Sequence, residues 1–163
     1  MNELLVVGIS DFKISRAPNR LATYALGSCV GTSVYDVNSG IGGLSHIMLP
    51  DSKIFRPADS INRMKFADTA IVDLVNDLVK QGANKSRLKA KIAGGANMFE
   101  VQNDNPFGNI GERNITSVKE ILKQLGIPII GEDTGANYGR TVFFDPGTGG
   151  FQVKSIGKEI IEL

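Results

Sequence analysis

The sequence predicts an α/β domain built in layers, with helices packed on β-sheet. Three observations carry that reading. Short runs rich in β-branched and aromatic residues, bounded by turn signals, outnumber the helical segments. Two segments carry apolar residues at spacings of three and four. Twelve of the 19 glycines cluster at 40–43, 94–95, 108–111, 135–139 and 147–150, where tight turns are expected.

The elements follow in order. Residues 4–9 form a short β-rich run, and 11–15 extend it or pair with it. Ala17-Pro18-Asn19 is a turn. Residues 21–26 read as a strand that brings Thr23 toward Gly27-Ser28. A hairpin follows, with strands at 30–36 and 41–49 around the tight turn Val37-Asn38-Ser39-Gly40. The polar stretch 50–64, with Pro50 and Pro57, reads as a loop beside His46 that either walls a groove or moves.

The first helix is expected over 62–81. Ala67, Ala70, Ile71, Leu74, Val75 and Leu78 form its apolar stripe, Asp59 or Ser60 its cap and Gly82 its stop. Asp68, Asp73 and Asp77 fall off that stripe and read as a solvated face. A strand at 88–93 ends in Gly94-Gly95, and no Gly-Lys-Ser/Thr follows to make a nucleotide loop. The second helix starts near Gly111 or Glu112 and ends at Leu125, with the stripe Ile115, Val118, Leu122 and Leu125. Residues 127–131 read as a buried strand, and 140–144 with 150–156 as a second hairpin.

Composition removes several classes of function. A chain of 163 residues, 42% hydrophobic and 21% charged, is most simply one domain spanning 1–163. A net charge of +1 gives no reason to expect nucleic acid or an anionic membrane as partner. One cysteine excludes an internal disulfide, and one cysteine with one histidine falls short of a structural zinc site. The N-terminus lacks the signal-peptide pattern, and no apolar run approaches the ~20 residues of a membrane span. A cytoplasmic protein is expected.

Chemistry concentrates on that single cysteine, Cys29, and single histidine, His46. A lone cysteine is ordinarily a small buried hydrophobe, and a lone histidine near a strand a satisfied structural residue. The hairpin, however, returns the chain to its own start, which brings a thiol nucleophile near an imidazole base. Gly27-Ser28 adds turn chemistry that a core cysteine does not need. An imidazole in this role requires an orienting group; Thr23, Ser45 and Asp51 all remain open. Backbone N–H groups of Cys29 and the Gly27-Ser28 turn are the candidate oxyanion donors. Ser28 itself lacks the Gly-x-Ser-x-Gly context of a serine nucleophile.

Several blocks go further. Leu26-Gly-Ser-Cys-Val, Ser45-His-Ile-Met-Leu-Pro-Asp-Ser, Lys65-Phe-Ala-Asp-Thr-Ala and Lys91-Ile-Ala-Gly-Gly-Ala-Asn-Met-Phe occur in that order. Asn109-Ile-Gly-Glu-Arg-Asn and Glu132-Asp-Thr-Gly-Ala-Asn-Tyr-Gly-Arg follow. Together they span nearly the whole chain and resemble the CheD family, the chemoreceptor glutamine deamidases of bacterial chemotaxis. Ala136, where relatives often carry glycine, and Phe66, where many carry tyrosine, are mild departures.

The resemblance implies a layered fold with a central β-sandwich flanked by helices, related to toxin deamidases. It implies Cys29 as nucleophile, His46 as base and Thr23, six residues before the cysteine, as the orienting hydroxyl. It also implies receptor glutamines as substrate, a CheC-type phosphatase as partner and no cofactor. On this reading a thiolate, ionised by pairing with protonated His46, attacks the side-chain amide. The imidazolium protonates departing ammonia, and water then hydrolyses the thioester. Esterase action on methylated glutamates is a possible side reaction by the same chemistry. Asp133-Thr134-Gly135 with Arg140 reads either as a rim touching substrate or as plain turn chemistry. Met98 and Phe99 read as a core plug or a docking point. Two rival classes stand beside the deamidase: a non-catalytic adaptor that binds receptor or phosphatase, and a cysteine peptidase or acyl hydrolase of another kind.

Overall fold

The computed structural model describes residues 2–54, 62–98 and 109–163. The strands are β1 (Leu4–Val7), β2 (Asp11–Arg16), β3 (Arg20–Leu26), β4 (Val30–Asp36), β5 (Ile41–Ile47), β6 (Lys89–Gly94), β7 (Ile129–Thr134), β8 (Arg140–Phe144), β9 (Phe151–Lys154) and β10 (Ile161–Glu162). Helix α1 spans Ala67–Lys80 and α2 spans Ile110–Gln124. One five-stranded sheet runs β1-β3-β8-β9-β10 and the other β2-β5-β4-β6-β7.

The alternation of side chains along each strand sorts the core into two layers. Leu21, Val142, Phe144, Phe151 and Val153 of the first sheet meet Tyr35, Leu44 and Ala93 of the second, so the sheets form a sandwich. On its other face the second sheet presents Val30, Val34, Ile41, Ile47, Ala90 and Ile92 to α1 and α2. The expected layered α/β fold is found, with both described helices on the same side. Strand β4 lies at the centre of its sheet and is buried on both faces along its whole length.

Helix α1 buries the six residues of its expected stripe and no others. Fully burying a Leu, Ile or Val is worth roughly 1.5–3 kcal/mol, against a few tenths for the weaker helix propensity of Ile71 and Val75, so packing decides the element. Its start is later than the periodicity suggests. Asn62 caps a single 3-10 turn at Arg63–Lys65, and Phe66 is extended and bridged to Leu49. The backbone at 62–66 therefore pairs with the chain leaving β5 before helix can begin. The expected caps Asp59 and Ser60 lie outside the described residues, as does Phe99. Gly82 and Gly126 take positive φ, as helix stops require.

Residues 127–131 depart from expectation. Strand β7 begins at Ile129 and is the edge of its sheet, parallel to β6, with alternating half-buried and exposed residues. Ile127 joins the helix-side core while Ile130 faces outward, so the apolar run straddles a boundary.

Candidate active site

The β4–β5 hairpin pairs Gly31 with His46 and Val30 with Ile47. Cys29 precedes β4 by one residue and lies two before Gly31, which puts it on the sheet face that carries His46. That face looks into the sandwich, toward β3. Glycine at 31 is what lets the two sheets close here. A Cβ at that position would stand 3.0 Å from Leu26 Cδ1 and 3.5 Å from Thr23 Cγ2. Strand β3 then bulges between Thr23 and Leu26, with Ala25 at a positive φ of 60°. The bulge turns the chain through Gly27-Ser28 into the second sheet.

Thr23 and His46 are both fully buried, and Thr23 Oγ1 lies 2.7 Å from His46 Nδ1. The same hydroxyl donates to the Val7 carbonyl at 2.8 Å. A hydroxyl has one hydrogen, so with Val7 receiving it Oγ1 can only accept from the ring. His46 therefore carries its proton on Nδ1, and Nε2 holds a free lone pair. Nε2 is buried and has no hydrogen-bond partner among the described residues. Of the three orienting groups open from the sequence, Thr23 alone is bonded to the ring. Ser45 faces the helices, and Asp51 accepts from the Lys53 amide at 2.8 Å.

The electrostatics differ from the expected ion pair. Burial pushes the Cys29 thiol above its ordinary value, offset in part by its own backbone N–H. Burial likewise lowers His46 from 6.5 to about 4. Between two packed sheets each charged form loses its hydration, which disfavours both ions. Burial thus favours the neutral thiol and the neutral imidazole at neutral pH.

The turn that carries the thiol is held at every carbonyl. Gly27 accepts from Ala96 N–H at 2.9 Å and Cys29 from Gly95 N–H at 2.8 Å. Ser28 accepts from Asn114 Nδ2 at 2.9 Å. Gly94 must be glycine: φ is +110°, and a Cβ would sit 2.3 Å from the Cys29 carbonyl oxygen. The Asp133–Arg140 block acts one layer behind. Arg140 is buried, bonded to Asp133 Oδ2 at 3.0 Å and to the Gly135 carbonyl at 2.9 Å, while Gly135 N–H holds the Gly94 carbonyl at 3.0 Å. These bonds brace the Gly94 loop beside the turn that carries the thiol.

Met98 stands over the turn, with its Cγ 3.3 Å from where a Gly27 Cβ would be, and is 46% exposed, so it is no core plug. Pro50 and Asp51 line a cleft of about 480 Å³ with Glu112, Thr116 and Glu120 of α2, to which Thr23, Cys29 and His46 do not contribute. Residues 55–61 of the expected loop lie outside the described residues. Among the described residues no cluster of His, Cys, Asp or Glu has the makings of a metal site.

Sequence reasoning missed Asn114. Its signal was present: it lies three residues after Gly111 and four before Val118, a polar residue on the buried stripe of α2.

A β-sandwich backed by two helices, with the His46 imidazole held by the Thr23 hydroxyl between its sheets and Cys29 packed at the same interface, is the frame in which this chain is to be compared. A family model described as CheD chemotactic sensory transduction matches residues 48–155. A Moorella thermoacetica protein named "Probable chemoreceptor glutamine deamidase CheD" is 51% identical over 156 residues, covering 94% of this chain and 92% of its own. Relatives of the same name from Caldanaerobacter subterraneus subsp. tengcongensis and Clostridium kluyveri are each 49% identical, covering 96% of this chain and 95% and 96% of theirs. The chain belongs to the CheD family. A crystal structure of a Neisseria meningitidis protein of family DUF152 shares the fold, with a TM-score of 0.51 at 11% identity. That likeness covers 82% of this chain, which spans 64% of that one.

Proposed function

We propose that this chain, as one domain over 1–163, hydrolyses glutamine side-chain amides on methyl-accepting chemotaxis receptors to glutamate and ammonia through a thioester on Cys29. The names of its relatives support the activity and the substrate. The observation that carries the chemistry is the committed hydroxyl of Thr23, which keeps the His46 proton on Nδ1 and leaves Nε2 as a base.

The steps follow from a neutral pair. As Cys29 Sγ attacks the amide carbon, Nε2 takes the thiol proton, so the charge appears only as the carbonyl oxygen becomes an oxyanion. Backbone N–H groups of Cys29 and Ser28 face that oxygen in this scheme, held rigid because the carbonyls of the turn are all engaged. The Gly27 N–H, also a candidate from the sequence, is taken by the Ala25 carbonyl at 3.1 Å. The imidazolium returns its proton to the amide nitrogen, the C–N bond breaks and ammonia leaves. Nε2 then deprotonates a water that attacks the thioester. The C–S bond breaks, glutamate forms, and Sγ recovers the proton. A methyl ester of glutamate is cleaved by the same steps, with methanol as leaving group.

Receptors of this kind offer their glutamines to a cytoplasmic enzyme, and a CheC-type phosphatase is the second partner this reading assigns. No described helix is long and apolar enough to cross a membrane. The adaptor reading keeps one point in its favour, since a protonated resting thiol is also what an unused cysteine shows. Mass spectrometry of a receptor fragment incubated with wild type and with Cys29→Ala separates the two. Conversion of glutamine to glutamate by wild type alone supports the enzyme; no conversion by either leaves the adaptor, and cleaved peptide bonds indicate a peptidase.

A further inference from the structure

We propose that Asn114 is a positioning residue that fixes the separation of Cys29 and His46. The inference rests on the catalytic reading of that pair. The ladder between β4 and β5 ends at Val30 and Ile47, so the backbone no longer ties the strands where the thiol sits. Asn114 supplies the missing tie from outside the sheet. Its Nδ2 donates one hydrogen to the Ser28 carbonyl at 2.9 Å and the other to the Met48 carbonyl at 3.0 Å. Ser28 precedes Cys29 by one residue, and Met48 follows His46 by two. A single planar amide therefore sets the distance between the two chain segments that carry the reacting groups.

The geometry admits few substitutes. Two carbonyl acceptors facing one side chain require an NH2 group, which orients the amide without ambiguity. Its oxygen is left buried and without a partner among the described residues, an arrangement that costs free energy. A residue chosen only to fill the stripe between Gly111 and Val118 would not carry that cost. Gly111 lets α2 come this close, since a Cβ there would stand 2.4 Å from the Ala96 carbonyl oxygen.

The test uses the full chain with Asn114→Ala and Asn114→Asp, read by receptor deamidation and by alkylation of Cys29 with iodoacetamide across pH. Displacement on the order of 1 Å costs about 10²-fold in rate, so kcat is expected to fall ten- to a hundredfold with KM unchanged. Alkylation at neutral pH, assisted by His46, slows toward that of an unassisted thiol, while the alkaline limb is unchanged. Asn114→Asp loses ground to wild type as pH rises, because its acid form still donates one hydrogen bond and its carboxylate none.

A merely structural role gives the opposite sign: a loosened fold exposes the thiol and speeds alkylation, which overturns the proposal. Wild-type kcat and alkylation in folded variants overturn it too, as does failure of both variants to fold. If wild type does not deamidate yet the variants slow alkylation, positioning stands and the deamidase reading falls. If wild type deamidates and both variants match it, the reverse holds.

Discussion

Helices α1 and α2 lie side by side on one sheet, yet they bury different things. The buried stripe of α1 is Ala67, Ala70, Ile71, Leu74, Val75 and Leu78, apolar throughout. That of α2 is Gly111, Asn114, Val118 and Leu122, apolar only in its second half. The first two turns of α2 meet backbone: Gly111 against the Gly95 and Ala96 carbonyls, Asn114 against those of Ser28 and Met48. One helix buries hydrocarbon to stabilise the sandwich; the other buries glycine and amide to hold a turn in place. The contrast separates residues that keep the fold from residues that keep the site.

The largest effect is expected within the site. His46→Ala should lower deamidation about 10²–10⁴-fold, the usual worth of a general acid–base group, with the circular dichroism spectrum retained. Activity within tenfold of wild type would remove His46 from the chemistry. On the α1 side, Leu74→Ala should cost about 2–5 kcal/mol in urea unfolding, because Leu74 is fully buried against the sheet. Its turnover per folded molecule should match wild type; a deeper loss would erase the distinction between the helices. The smallest effect is expected at Ala136, which takes a positive φ of 58°. A left-handed Ala costs roughly 1–2 kcal/mol, part of which glycine gives back as chain entropy, so Ala136→Gly should gain up to ~1 kcal/mol. A loss of stability there would show that the methyl group packs.

What was legible in the sequence divides along the same line. The stripe of α1 and the β4–β5 hairpin, whose register sets His46 opposite Gly31, follow from periodicity and turn residues, which are local signals. The ends of elements were less visible. Phe66 is drawn into an extended bridge by Leu49, seventeen residues earlier, and the Ile127–Ile130 run divides between core and edge only once β6 is beside it. Thr23 touches His46 across two sheets, a contact that no spacing encodes; only the family resemblance singled it out. Residue types suggest an ion pair, whereas burial between sheets raises the thiol and lowers the imidazole, an effect that residue types do not encode. Asn114 was passed over because a polar residue on an apolar stripe reads as noise until its two carbonyl partners are seen.

His46 also ties the site to stability. Its folded pKa lies below the unfolded one, so the unfolded chain binds the extra proton between pH 6.5 and 4. Its contribution is complete above pH 6.5 and is lost as pH falls toward 4. Because the chain has one histidine, 15N NMR of the imidazole over a pH titration reads the central claim without ambiguity. The expected result is a neutral ring with its proton on Nδ1 throughout the neutral range, charging only near pH 4. An imidazolium that persists through neutral pH, or a neutral ring protonated on Nε2, would contradict it.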